Sequence, residues 1–159
     1  MGEPITQEHL EKYIGWKMRV DSNQERIARA KSNETFPPMK EGDGSKHQPG
    51  AGDRMVSAIL QRMDIEARLL PIIEETLDKM ERIEQAVYSL EDPFEQEVLT
   101  YRYLDGYIDE DGDYHYKLMP WADVAVKIYG GDEEKHLKAT YRLHDRAIES
   151  LSKVGEDES

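Results

Sequence analysis

The sequence predicts a mainly α-helical fold. An N-terminal helical hairpin with a long, kinked second helix is followed by a helix-turn-helix that carries a small β-hairpin insertion. Three observations lead there. Apolar residues recur at three- and four-residue spacing over most of the chain. Proline and glycine gather in short stretches that separate those periodic runs. Two phenylalanines, 38% apolar residues and 35% charged ones suit extended helices better than a β-rich domain. With 159 residues the chain makes one domain, or a domain with an appendage, and can bury a real core. The expected division is a helical and oligomerising region over 1–90, a helix-turn-helix domain over 91–154, and an acidic tail over 155–159.

Residues 4–32 open the chain as an amphipathic helix. Ile5, Leu10, Tyr13, Ile14, Trp16, Met18, Val20 and Ile27 alternate with charges. Thr6 suits the helix start, with His9 three places on where a capping box would carry Glu or Gln. Gly15 weakens the middle slightly. Balanced charge and a modest apolar face favour packing on a neighbouring helix over lying on a membrane surface. Residues 33–52 then form a linker, because Pro37-Pro38, Gly42, Gly44, Pro49, Gly50 and Gly52 exclude a regular element.

The next helix runs from a cap at Asp53 to about Ser89. Its apolar positions fall into two heptad rows. One is Val56, Met63, Leu70, Leu77 and then Glu84. The other is Ile59, Glu66, Ile73, Met80 and Val87. Eight of these ten are apolar, which makes a seam that must bury against another helix. The partner is either helix 4–32 folded back or the same helix of a second subunit. Glu66 and Glu84 argue against one long dimeric coil. Pro71 removes a backbone bond and crowds the preceding turn, so a kink or a junction of two helices is expected there.

A further helix begins around Leu90-Glu91-Asp92-Pro93. After it, Tyr107–Lys117 alternates apolar and polar residues around Asp111-Gly112. An Asp-Gly step favours a hairpin turn, so a β-hairpin is expected. Its acids superficially suggest a calcium loop. That loop needs a glycine at the sixth place and a glutamate at the twelfth, and Gly112 comes too early. The hairpin resembles a wing, but its acids would repel phosphate.

The helix-turn-helix occupies Trp121–Leu151. Pro120 suits a first helical turn. Trp121, Val124, Ala125 and Ile128 make one face, and small Ala125 lets a second helix approach. Gly130-Gly131 ends the helix. Asp132 is the expected cap of the next one, with Glu133 and Glu134 at the positive end of its dipole. In that second helix Leu137, Tyr141, His144, Ile148 and Leu151 form the stripe expected to bury. His144 reads as a packed or hydrogen-bonded histidine. Lys135, Lys138, Arg142 and Arg146 fall mostly outside the stripe. With Thr140 they are the expected DNA-contacting residues, because a recognition helix meets phosphates and base edges with its outer face.

The run Leu90-Glu91-Asp92-Pro93, then Glu97-Val98-Leu99 and Tyr101-Arg102-Tyr103, resembles the opening of a sigma-factor region-4 domain. Trp121, Val124-Ala125 and Ile128 match its supporting helix. Arg142, His144, Ala147-Ile148 and Leu151 match the end of its recognition helix. The Arg102-Tyr103 step, Trp121 and the late His144 with Arg146-Ala147-Ile148 are more similar still to phage transcriptional regulators of the ArpU/RinA type. The resemblance covers the last third of the chain well and the rest loosely, including the Pro/Gly-rich loop. It implies control of phage genes through a sigma-like C-terminal half. Two features depart from that pattern. One is the insertion 107–117. The other is Gly-Gly-Asp at the turn, where a serine-bearing step is usual.

Charge narrows the function. The net charge of -13 argues against a general nucleic-acid coat. It is unevenly spread: residues 91–132 hold three bases and eleven acids, whereas 133–154 hold five bases and four acids. A locally basic helix on an acidic body neutralises few phosphates, so specific binding would need a dimer or a partner such as RNA polymerase. There is no cysteine, hence no disulfide and no cysteine-based zinc site. No apolar run approaches membrane-spanning length and no charged-then-apolar leader opens the chain. The expectation is a soluble protein of the bacterial cytoplasm with no membrane partner. Without a nucleophile motif, a phosphate-binding glycine loop or a zinc-protease motif, a non-enzyme without cofactor or metal is expected. Three functions fit: a regulator of phage or prophage late genes that binds double-stranded promoter or operator DNA; an acidic helical module that binds RNA polymerase or another phage or host protein; or a DNA-packaging protein similar to a small terminase subunit.

Overall fold

A computed structural model describes residues 4–35 and 51–154, and the fold over them is mainly α-helical with one small β-hairpin. The elements are α1 (Gln7–Thr35), α2 (Ala51–Tyr88), α3 (Pro93–Leu99), a π-helical turn (Thr100–Leu104), β1 (Tyr107–Ile108), β2 (Tyr114–His115), α4 (Trp121–Tyr129) and α5 (Glu134–Val154). Most of the Pro/Gly-rich loop expected over 33–52 and the whole tail from 155 lie outside the described residues. At the loop's ends, 33–35 belong to α1 and 51–52 to α2, so Asp53 does not start a helix. Among the described residues no helix is long and apolar enough to cross a membrane.

Packing divides the chain into two units: Met1–Met18 with Asp78–Ser159, and Arg19–Leu77. Residue 90, the expected boundary, falls in the short link between α2 and α3.

In the unit Arg19–Leu77, α1 and α2 run side by side as a hairpin. Val20, Ile27 and Ala30 of α1 are buried, as are Ala58 and Ile73 of α2. Two buried polar residues find local partners. Asn23 Oδ1 accepts from Arg26 at 2.7 Å, and Thr76 Oγ1 donates to Ile72 O at 2.7 Å. Arg62 pairs with Glu34 across the hairpin. Glu66, one of the two glutamates on the expected seam, takes Arg62 at 3.3 Å and Lys31 at 3.9 Å.

The two heptad rows of α2 do not share one seam. Ile73, Met80 and Val87 of the second row are buried, whereas Val56, Met63, Leu70 and Leu77 of the first are exposed. The inward face passes through Ala58, Ile73, Thr76, Met80, Ile83 and Val87, which places the first row on the opposite side. Of the seam expected to bury against another helix, only the second row is therefore covered within the chain. α2 also runs unbroken through Pro71, so no junction of two helices forms there.

In the other unit the start of α1 meets the end of α2 and the C-terminal elements. At the start of α1 the His9 ring takes the place a capping-box carboxylate would hold, with Nδ1 3.0 Å from both the backbone N and Oγ1 of Thr6. Tyr13 Oη donates to Glu84 Oε1 at 2.5 Å, which gives the second seam glutamate its partner. Burial first, and then this carboxylate, push the Tyr13 phenol far above its usual range and keep it a donor. Asp92 caps α3, its Oδ1 accepting from Phe94 N at 2.9 Å, and Pro93 stands at the first turn, where no N–H is needed. The hairpin pairs Tyr107 with His115 and Ile108 with Tyr114, antiparallel. Its connection is the five residues 109–113, longer than a two-residue Asp-Gly turn, because Asp109 N donates to Asp113 O at 2.9 Å and closes the loop there.

Candidate nucleic-acid interface

α4 and α5 form the expected pair, and the turn between them is built by its glycines. Gly130 ends α4 with φ 81° and donates to Val126 O at 2.9 Å, a left-handed conformation that costs glycine least. A Cβ on Gly131 would lie 2.7 Å from His136 Cε1, so that glycine makes room for an imidazole. Glu133 O accepts from His136 N at 2.9 Å and Leu137 N at 3.0 Å. Glu133, not Asp132, thus stands at the cap of α5.

The inner face of α5 packs on α3 and α4. It consists of Thr140, Leu143, His144, Ala147 and Leu151, all buried. At its centre Tyr103 Oη lies 2.7 Å from His144 Nε2, and the Trp121 ring meets His144 edge-on at 4.9 Å. Arg102 lies over Trp121 at 4.3 Å and donates from Nη1 to Met119 O at 2.7 Å. The Arg102-Tyr103 step and Trp121 are thus the clamp that fixes α5. The π-helical turn carries both residues: its wide turn closes with Asp105 N donating to Thr100 O at 3.0 Å. Farther along, Ser150 Oγ donates to Glu95 Oε1 at 2.7 Å and ties the end of α5 to α3. Burial above all holds the His144 imidazole below its usual range, against the opposing pull of Asp145.

The outer face carries four of the five expected residues. Lys135 and Lys138 are exposed; Lys135 lies 3.8 Å from Glu133 and Lys138 pairs with Glu134 at 3.2 Å. Arg142 and Arg146 are exposed and take part in no ion pair among the described residues. Thr140 is the exception. It is 0% exposed, with Oγ1 donating to His136 O at 2.7 Å, so it cannot reach a ligand outside. That local bond satisfies the hydroxyl and lets a polar residue sit inside. Tyr141 takes the outward place, 43% exposed, with only its ring edge against Trp121 at 5.2 Å. Pattern reading put Tyr141 inside because it is aromatic. The register of Thr140, Leu143, Ala147 and Leu151 at three- and four-residue steps is the signal that would have turned it out.

One group of carboxylates among the described residues is close enough to share a cation: Asp109, Asp111 and Asp113. Asp109 is already occupied. Its Oδ1 accepts from Asp111 N and Asp113 N at 2.9 Å each, and its Oδ2 faces His115 Nε2 at 2.7 Å. The His115 contact first, and these backbone bonds with it, hold the Asp109 carboxyl below the usual range. The cluster serves as the lock of the hairpin turn.

No protein-family model matches this chain, and no curated protein and no solved structure matches it.

Proposed function

We propose that this chain is a sequence-specific DNA-binding transcriptional regulator of phage or prophage genes, of the ArpU/RinA type, acting in the bacterial cytoplasm through α5. The observation that carries this reading is the outer face of α5. Lys135, Lys138, Arg142 and Arg146 stand there at helical spacing, uncovered, on a rod clamped from behind by Arg102, Tyr103 and Trp121. From Lys135 to Arg146 the face extends about 16 Å, three turns of helix, which suits one pass through a major groove. Arg142 and Arg146 can meet guanine edges, and the two lysines phosphates. The glutamate partners of the lysines do not block this role, because exposed ion pairs contribute only about 0.2–1 kcal/mol.

A specific observation favours a second reading. Lys138 and Lys153 of α5 each pair with a glutamate one turn away, and the chain as a whole is strongly acidic. Such a surface suits a protein partner, with RNA polymerase the first candidate.

The deciding experiment measures binding to DNA from the promoter region beside its own gene, against scrambled DNA of equal length. The regulator reading expects preference for one segment, and a loss of about tenfold or more on Lys138→Ala with Arg142→Ala at unchanged helix content. No retention of DNA at low salt, or unchanged affinity in the double variant, defeats it. Capture of polymerase in that case supports the second reading.

A further inference from the structure

Within the unit Arg19–Leu77, α2 is apolar on two opposite sides. One side packs on α1. The other holds Val56, Leu60, Met63, Ala67, Leu70 and Leu77, separated by alternating steps of four and three residues apart from a single interruption at Glu74. The five large members are between 42% and 60% exposed. We infer that this stripe is a homodimer interface, on which the same stripe of a second copy packs antiparallel.

Three observations select that occupant. The first is the spacing. A four-three alternation held over three heptads keeps an apolar line turned toward one partner helix, whereas singly scattered exposed residues have no such register. The line is about 32 Å long, enough for a two-helix interface.

The second is charge. Residues 19–77 hold nine bases and ten acids, although the whole chain carries -13. Two copies meeting here escape the repulsion that the acidic stretch 91–132 would bring.

The third is Glu74, which sets direction. In a parallel pair in register, Glu74 would face its own copy. An antiparallel pair with its two-fold axis near Ala67 carries the two Glu74 side chains to opposite ends, and the small Ala67 lets the helices approach at the axis.

The test is the mass of the full chain in solution by sedimentation velocity from micromolar concentrations upward, with no DNA present. Its failure is therefore separate from any failure of DNA reading. A dimer is expected, reverting to monomer on Leu60→Glu with Leu70→Glu at unchanged helix content. Because the chain has no cysteine, single introduced thiols report the geometry cleanly. Ala67→Cys should form a disulfide between copies readily and Leu77→Cys should not. A chain that stays monomeric overturns the inference, as does a dimer that survives the double substitution. Cross-linking of Leu77→Cys as readily as Ala67→Cys overturns the antiparallel pairing. Should the double variant lose helix, the Ala67→Cys result decides alone.

Discussion

Tyr103 and His144, 41 positions apart, meet in a buried hydrogen bond of 2.7 Å that joins the π-helical turn to the middle of α5. Burial raises the Tyr103 phenol above its usual range and keeps it protonated, so Tyr103 is the donor. His144 Nε2 then accepts, and the ring proton sits on Nδ1, 3.3 Å from Asp145 Oδ1. Tyr103→Phe keeps the ring and strands a buried acceptor. The expected loss is about 1–2 kcal/mol. For a chain of this size that lowers the melting temperature by roughly 2–8 °C, as read by circular dichroism.

The same histidine makes stability depend on pH. Its folded pKa is depressed, chiefly by burial. An unfolded chain protonates histidine near pH 6.5, as usual, while the folded chain resists. Unfolding therefore takes up a proton below that point, and the contribution of His144 is present above about pH 6.5 and lost as pH falls toward the folded value. The comparison is with His144→Gln, in which the other histidines and the many carboxylates titrate as before. The stability difference between wild type and variant, measured by urea denaturation, should shrink from pH 7.5 to pH 5.5. A difference that grows over that interval contradicts the assignment.

Thr140 and Tyr141 exchange the roles that pattern reading gives them. Thr140→Val should leave DNA affinity unchanged and alter stability by less than about 1 kcal/mol, since it removes only a hydroxyl bonded within its own turn. Tyr141→Ala should weaken DNA binding several-fold with the fold intact, because its side chain is exposed on α5, next in sequence to Arg142. Affinity and melting temperature measured on both variants separate the two positions.

The exchange shows how far the sequence could be read. The two helices around Gly130-Gly131 were legible because their periodicity and turn chemistry agree, and the hairpin was legible from Asp111-Gly112. The inner face of α5 was misplaced by one residue because Tyr141 is apolar and Thr140 polar. A side chain that bonds its own helix carbonyl escapes the rule that polar residues face out. The Arg102-Tyr103 clamp was visible only as a motif. Its role depends on the π-helical turn, which has no distinct sequence signature. In α2 both heptad rows were legible as apolar, but period alone cannot say which row meets α1 and which faces away.

Gly106 marks a close approach that the sequence did not reveal. It has φ 79°, and a Cβ there would stand 2.2 Å from Tyr114 Oη. Gly106→Ala should therefore cost about 1–2 kcal/mol from the backbone alone, and more from the displaced ring. Tyr114→Ala separates the two contributions. In that background Gly106→Ala should cost less, but not nothing, since the left-handed conformation remains. Denaturant midpoints for the four members of the cycle give the answer.

Salt dependence gives a count of contacts. Four of the five uncovered cations of α5 are the proposed contacts: Lys135, Lys138, Arg142 and Arg146. If each neutralises one phosphate, the logarithm of affinity should fall against the logarithm of salt with a slope of about -3.6 per chain. Arginines spent on base edges make the slope shallower, to about -1.8 if both leave the backbone. A two-fold dimer on paired half-sites doubles either figure. The double variant Lys138→Ala with Arg142→Ala should flatten the slope by about 1–2 per chain, depending on whether Arg142 holds a phosphate or a base. Titrations at four or more salt concentrations with wild type and variant are sufficient. A slope much steeper than four cations allow would place phosphates on some other surface of the protein, and one near zero would mean that α5 does not meet the DNA backbone.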